Sequence, residues 1–585
     1  MMMDYMTIDG VVVPIEGEKN VLEVIRKAGI EMPTFCYYSD LSVYGACRMC
    51  VVETGVGRVA IEASCSTPPV AGMVVRTNTG RLRRYRTLIL ELLLSSHCRD
   101  CTSCPKDRKC RLQDLASRFK VRTGRFENTA AESLIDDSSF CITRDAHKCI
   151  LCGDCVRVCN EIQGVGAIEF TGRGSNMRVS APFDMPIAES ACVGCGQCSA
   201  VCPTGALTVR DDTAAVWRAL DDAAALVSVQ VAPAVRAAIA KEFGMHEDSN
   251  AIGRIFAALR RLGFDRVYDT ATGADLTVIE EGAELVRRLQ DGKAHEWPLF
   301  SSCCPAWVQF VEKEYPALLG DLSSCKSPMQ MFASVIRETE KAVVATGEAD
   351  GARGGAADGG AARGYARHVH VAVMPCTAKK FEAARAEFKA EGEPAVDYVI
   401  TTGELIQMIR EAGIVFDALV PELADRPFGE ASGGGVIFGV SGGVTEAALR
   451  SIAEDKSPQA LMRIAYTGVR GMEGIKEAQV TVGDRVVRIA VVSGLQNVRE
   501  IIRRIKAGER YDFVEVMSCR GGCVSGGGQP FAASADKEGR SRNLYARDKR
   551  APFPSSERNP VVRELYERGV LKGRAHELLH VDYRG

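Results

Sequence analysis

The sequence predicts a multidomain protein of mixed α+β and α/β class, and three observations carry that expectation. At 585 residues the chain is longer than the roughly 250–300 residues at which a single core stops growing. Its 23 cysteines gather in short groups with repeated spacings. From about residue 220 onward, apolar β-branched runs alternate with segments of helical periodicity, the pattern of mostly parallel α/β layers. The expected domains are residues 1–80, 81–137, 138–212 and 213–585.

Composition narrows the function classes. The balance of 73 basic and 75 acidic residues gives a formal charge of -2, so no overall field favours nucleic acid or an anionic membrane. No apolar run approaches the ~18–20 residues of a membrane span, and MMMDYMTIDG has neither the basic start nor the apolar core of a secretory signal. A cytoplasmic location follows as an expectation. In that reducing compartment clustered cysteines point to metal ligation rather than disulfides.

The first domain begins with an alternating strand signal, YMTIDGVVVPI, then a helical VLEVIRKAGI, then Cys36, Cys47, Cys50 and Cys65. The spacing C-x10-C-x2-C-x14-C resembles a plant-type [2Fe-2S] ferredoxin of β-grasp fold, with a first gap longer than the usual C-x4-C. A four-thiolate zinc site satisfies the same tetrahedral demand and stays open. A helical RLRRYRTLILELLLSSH then leads into His97, Cys101, Cys104 and Cys110, one imidazole and three thiolates suited to a [4Fe-4S] cube. Cys98 beside His97 leaves two alternatives, a zinc knuckle or ligation by Cys98 instead.

The third group is the strongest local signal. Cys149-x2-Cys152-x2-Cys155-x3-Cys159 recurs 43 residues later as Cys192-x2-Cys195-x2-Cys198-x3-Cys202, followed by Pro203. In this bacterial two-cluster ferredoxin pattern the fourth cysteine of each run ligates the other cube. Cys149, Cys152, Cys155 and Cys202 would hold one [4Fe-4S] cluster, and Cys159, Cys192, Cys195 and Cys198 the other. With the His97 cube, that makes three accessory [4Fe-4S] clusters and one [2Fe-2S] cluster.

In the fourth domain ALVSVQVAP, HVHVAVMP, DYVITT, VVRIAVVSG and DFVEVMS read as strands, and AVRAAIAKEFG, ELIQMIREAG and NVREIIRRIKAG as helices. Cys376 and Cys519 fall just past two of these strands, where open α/β sheets bind ligands. The Gly/Ala-rich stretch 347–367 reads as a flexible surface insertion. Gly526–Gly528 and SGGGVIFGVSGG (432–443) lack the helix-opening context of a phosphate loop and are read as close backbone packing.

Three distant segments, SSCCPAW (301–307), MPCTAKKFE (374–382) and EVMSCRGGCVSGGGQP (515–530), resemble the signature segments of the iron-iron ([FeFe]) hydrogenases. Ser301 stands where the family usually has Thr, and the upstream modules match the family's larger members in order. The resemblance implies reversible reduction of protons to H2 at a six-iron H-cluster, a [4Fe-4S] cube tied to a diiron unit carrying CO, cyanide and a dithiolate amine. It assigns Cys304, Cys376, Cys519 and Cys523 to the cube, with Cys523 as the bridge to the diiron unit. It leaves Cys303 free as the proton donor nearest that amine, followed by a relay of Glu281, Ser323, Glu284 and Arg288. Lys379 would pair with a cyanide, Met374 and Met517 would line the diiron pocket, and Pro233 and Ala234 would border the dithiolate. Glu281 and Glu284 share a helical face, which by itself is equally the pattern of a solvated acidic face.

The set accounts for 19 of the 23 cysteines as ligands and leaves Cys98, Cys141, Cys303 and Cys325. Protons and H2 are the implied substrates. Ferredoxin or flavin- and NAD(P)-binding subunits would be electron partners, because the chain has no flavin or nicotinamide motif of its own, and maturation proteins would install the diiron unit. The alternatives are a hydrogenase-like iron–sulfur assembly protein and an H2 sensor.

Overall fold

In the computed structural model, residues 4–55, 59–121, 125–126, 135–246, 251–291, 295–346, 365–390, 392–429, 431–452, 470–472, 474–482, 485–531 and 534–584 are described. Most of the stretch expected to form a surface insertion, 347–364, lies outside them. The chain forms two compact units. The first holds Met1–Glu161, Gly166–Cys192 and Val201–Thr208, and the second holds Ile162–Val165, Val193–Ala200 and Val209–Gly585.

The first unit opens with a hairpin, β1 (Asp4–Ile8) and β2 (Val11–Ile15), paired with Ile8 opposite Val11. Asp9 and Gly10 both have positive φ, the geometry whose twist matches a two-residue hairpin. With β3 (Val51–Thr54), β4 (Ala60–Ala63) and β5 (Val74–Arg76) the hairpin makes a five-stranded mixed sheet in the order β2-β1-β5-β3-β4. Helix α1 (Val21–Lys27) is capped by Asn20, whose side chain accepts from Glu23 N at 3.1 Å, and its buried Val21, Leu22, Val24 and Ile25 join the sheet's core. Helix α2 (Gly80–Ser95) is tied to this fold by buried Arg86, which donates to the carbonyls of Met49, Val51 and Thr77 at 3.1, 2.7 and 2.9 Å. Carbonyl oxygens replace the water that a buried guanidinium loses.

The second unit is built on two four-stranded sheets. The first is wholly parallel, in the order β7-β6-β9-β10, with β6 (Ala225–Val231), β7 (Arg266–Asp269), β9 (Arg367–Met374) and β10 (Tyr398–Thr401). The second has the order β8-β13-β12-β11, with β8 (Leu299–Phe300), β11 (Ile475–Val482), β12 (Arg485–Ser493) and β13 (Phe513–Met517), parallel except for the β11–β12 pair. Every residue of β6 and β13 is buried, as expected for strands covered on both faces.

The long helix α3 (Ala271–Gln290) is organised by a buried carboxylate. Asp275 accepts from Ser432 N at 3.0 Å, Ser556 Oγ at 2.8 Å and Asn559 Nδ2 at 2.9 Å, and also from Ser432 Oγ. Ser432 caps the short helix Gly433–Ile437. There Gly435 packs so close to α3 that a Cβ would lie 2.4 Å from Ala271 O, in keeping with the close packing read from this glycine run. We expect Asp275→Ala to lower the urea midpoint of this unit by an amount equivalent to about 3 kcal/mol, the cost of leaving buried donors unpaired, and Asp275→Asn, which keeps an acceptor, to cost less.

Candidate active site and cluster-binding cysteines

The carboxyl ends of β6, β8, β9 and β13 open on one apolar cavity. The turn after β6 supplies Pro233 and Ala234, and the turn after β8 supplies Cys303 and Cys304. Met374 ends β9 and is followed by Cys376, while Met517 ends β13 and is followed by Cys519. Cys523 and Lys379 complete the set expected from the sequence. Strand alternation did not point to Thr270, Met329 or Phe438, which also line the cavity. Phe438 sits in the glycine-rich stretch read only as packing, and Thr270 follows the short β7, which the sequence reading did not assign.

Glycines let the backbone close around the cavity. A Cβ on Gly526 would lie 2.1 Å from Pro375 O, and one on Gly527 would lie 2.4 Å from Cys195 O. Two helices, Pro233–Glu242 and Pro305–Glu314, begin at the cavity, each with Pro at its start and no side-chain cap, and Cys304 is the N-cap of the second. Their unpaired N–H groups favour negative charge there.

Burial pushes the thiols of Cys303, Cys304, Cys376, Cys519 and Cys523 up from the ordinary range, Cys376 to about 12. Such thiols ionise only when a bound cation or cluster replaces the proton. Donors already face two of them: Ser518 N lies 3.5 Å from Cys304 Sγ and Gln197 Nε2 lies 3.2 Å from Cys519 Sγ. Among the described residues no three His, Cys, Asp or Glu side chains are placed to hold a single metal ion. Four thiols around a large, mostly apolar cavity fit a polynuclear group instead.

Lys379 is anchored. Its Nζ donates to Glu382 Oε2 at 2.7 Å and to Cys303 O at 3.2 Å, while Ser327 Oγ donates to the same Glu382 oxygen at 3.1 Å. Burial would lower the ammonium, but Glu382 outweighs it and holds the pKa above its ordinary value. The cation expected to face an anionic ligand thus sits at the cavity wall with a carboxylate behind it.

The acidic pair lies on α3. Glu281 is 1% exposed, and neither of its carboxylate oxygens has a hydrogen-bond partner. Burial, followed by the charges of Glu284 and of buried Glu515, raises its pKa to about 8. Half-buried Glu284 accepts from Ser323 Oγ at 2.6 Å and from Ser324 N and Oγ at 3.2 Å. Arg288, one turn on, is held by Asp321 Oδ1 at 2.6 Å and Trp297 O at 2.7 Å.

In the first unit, Cys36, Cys50 and Cys65 are buried and Cys47 is half-buried. Hydrogen bonding pulls the Cys47 thiol down toward Cys36, to about 6, and the Cys50 thiol down toward Cys65, to about 7, so two thiol pairs face each other. His97 is 8% exposed with Nδ1 unpartnered, and burial lowers its pKa to about 4, leaving a neutral imidazole able to ligate. Cys101 is exposed, Cys98 and Cys104 are half-buried, and Cys110 is buried. Cys149, Cys152, Cys155 and Cys202 line one small cavity, the crossed set that the repeated motif specifies. Cys159 Sγ accepts from Ala167 N at 3.4 Å, and the nearby Cys192 thiol adds to the upward push that burial gives it. Cys195 and Cys198 belong to the second unit, where Cys195 lines the large cavity.

Comparison with known proteins matches this arrangement segment by segment. Residues 225–350 and 356–527 match the iron only hydrogenase large subunit, C-terminal domain. Residues 5–80 match a 2Fe-2S iron-sulfur cluster binding domain, 86–125 the NADH-ubiquinone oxidoreductase-G iron-sulfur binding region, and 148–206 a 4Fe-4S dicluster domain. Residues 536–585 match the iron hydrogenase small subunit, a segment the sequence reading had not separated from the large domain.

The chain is 41% identical over 594 residues to the NADP-reducing hydrogenase subunit HndD of Solidesulfovibrio fructosivorans, covering 99% of this chain and 98% of that protein. It is 34% identical over 591 residues to iron hydrogenase 1 of Clostridium pasteurianum, covering 99% of each. The solved structure of [FeFe]-hydrogenase HydA1 from Chlamydomonas reinhardtii aligns with a TM-score of 0.53 at 36% identity, over 63% of this chain and 98% of that one. With the cavity cysteines, the cluster modules and full-length relatives in agreement, this chain belongs to the iron-only, or [FeFe], hydrogenase family.

Proposed function

We propose that the chain reversibly reduces protons to H2 at a six-iron centre that Cys304, Cys376, Cys519 and Cys523 would hold. The observation that carries this reading is the single cavity in which those four thiols meet Cys303, Lys379, Met374 and Met517. When bound, the centre supplies the two-electron chemistry.

The protein's own groups do the rest. The methionines and the apolar wall exclude water, and Lys379, backed by Glu382, holds positive charge at the cavity's edge. Cys303, protonated by burial, is the group that gives or takes the proton at the cavity. Glu281 serves it well: a carboxyl whose pKa is near 8 exchanges protons close to neutral pH, and its unpaired oxygens are free to do so. Ser323, bound to Glu284, continues the path outward.

Electrons would arrive through one [2Fe-2S] cluster at Cys36, Cys47, Cys50 and Cys65 and three [4Fe-4S] clusters on the remaining ligands, with His97 rather than Cys98 on the second module. The NADP-reducing relative and the absence of a nicotinamide motif in the sequence favour a subunit of a larger NAD(P)-linked assembly. Among the described residues no helix is long and apolar enough to cross a membrane. Copurification under anaerobic conditions tests the assembly: a stoichiometric flavoprotein supports it, and an active lone chain served only by ferredoxin refutes it.

Glu281→Gln should lower H2 turnover about 10²–10⁴-fold while the CO infrared bands of the loaded enzyme stay unchanged. Between pH 4.5 and about 8 folded Glu281 keeps a proton that the unfolded chain releases, so this group makes stability fall as pH rises through that window. Urea midpoints of the Gln variant across the same range should fall less steeply than those of the parent. For the second cluster module, replacing His97 by Ala should remove one [4Fe-4S] paramagnetic signal, and replacing Cys98 by Ala should leave every signal in place.

A further inference from the structure

Beyond Glu284 the relay expected from the sequence runs to Arg288, but a guanidinium is never deprotonated in a protein and cannot pass a proton on. Arg288 is moreover occupied by Asp321 and the Trp297 carbonyl. A different group stands on the other side of Glu284. Ser324 Oγ lies 3.2 Å from Glu284 Oε1 and 2.9 Å from His580 Nδ1. His580 Nε2 lies 3.1 Å from Glu280 Oε2, and Tyr566 Oη donates to the other Glu280 oxygen at 2.5 Å. The His580 ring also packs on that of exposed His576, with centroids 4.7 Å apart.

The placement of His580 is built into the backbone. Val581 N donates to Ser324 O and Lys326 N to Leu579 O, both at 2.8 Å, and Cys325 pairs with His580 in an antiparallel bridge. This pairing holds the final residues of the chain against the strand-like segment that carries both relay serines. Glu280 keeps the ring oriented. Burial alone would raise its pKa, but the hydrogen bonds from His580 and Tyr566 hold the carboxyl below its ordinary range, so an anion faces Nε2.

We propose that His580 is the outer proton-conducting residue of this site, linking Glu284 to solvent through the Ser324 hydroxyl. The inference rests on the hydrogenase reading. During H2 oxidation Ser324 takes a proton from Glu284 as it gives its own to His580 Nδ1. The ring then gives its Nε2 proton to the Glu280 carboxylate, whose side chain is 14% exposed and passes the proton to solvent, and tautomer exchange resets the ring. H2 production runs the same hops inward, and no electron moves in either case. Imidazole suits the task because it binds a proton on one nitrogen while losing one from the other. Glu280 thus both orients the ring and carries the proton onward, while Arg288 stays bound to Asp321.

The test uses the fully loaded holoenzyme. His580→Ala should cut turnover about 100-fold, with the CO infrared bands unchanged, a larger H2O/D2O rate ratio, and activity returning on addition of free imidazole. His580→Gln, which keeps hydrogen-bonding groups at the position but cannot shuttle a proton, should show the same loss and guards against a folding defect in the alanine variant. Parental turnover in both variants would overturn the proposal, as would a loss that imidazole does not restore and that leaves the isotope ratio unmoved. If the parent itself evolves no H2 although its infrared bands show a complete centre, the hydrogenase reading fails, an outcome distinct from failure of the His580 path alone.

Discussion

The second unit concentrates one electrostatic tension: its strands bring Cys304, Cys376, Cys519 and Cys523 to a single cavity where burial pushes all four thiols up. Burial alone keeps each of them protonated. Fully buried parallel strands bring their carboxyl ends, and the cysteines just beyond, to one rim, and two helix starts turn N–H groups toward it. The glycines at 526 and 527 remove side chains that would hold the turns apart. In the proposed holoenzyme a metal group would supply the remaining positive charge, which would make ligand binding and correct packing of this unit one equilibrium rather than two.

The same burial bears on the proposed proton path. Glu281 has no hydrogen-bond partner and two carboxylates in its field, a costly arrangement for a structural residue but one that keeps a proton exchangeable near neutral pH. Lys379 shows the opposite solution, a buried charge made permanent by a carboxylate that the same short helix supplies one turn later. One fold thus holds a group poised to change charge and a group prevented from doing so within the same α/β core.

Much of this was legible in the residues. Local ligand runs such as Cys149 to Cys159 are spelled out by spacing alone, and Cys376 and Cys519 could be placed because each follows a continuous β-branched run. Three strands of the second unit were not read: β8 is only Leu299 and Phe300, too short for any period, β7 is a four-residue RVYD with polar ends, and β11 is an IKEAQVTV whose first half carries two charges. Strands of two sheets and of one sheet look alike in sequence, because partner choice is a long-range matter. The Ser324–His580 contact joins residues 256 positions apart, which no local pattern encodes. The second unit's claim on Val193–Ala200 was equally hidden, since that stretch lies inside a ferredoxin motif.

That last feature bears on how far the chain can be treated as a string of interchangeable modules. Gln197 donates to Cys519 Sγ at 3.2 Å and to Ser525 O at 3.0 Å, and Thr377 Oγ1 donates to Gly194 O at 2.7 Å. A cut at the boundary suggested by motif spacing, near residue 212, would strip these partners from the second unit and bare the backbone they cover. In this protein the ferredoxin-motif segment is not a detachable cassette: its residues 193–200 pack as part of the second unit, and Cys195 lines the cavity.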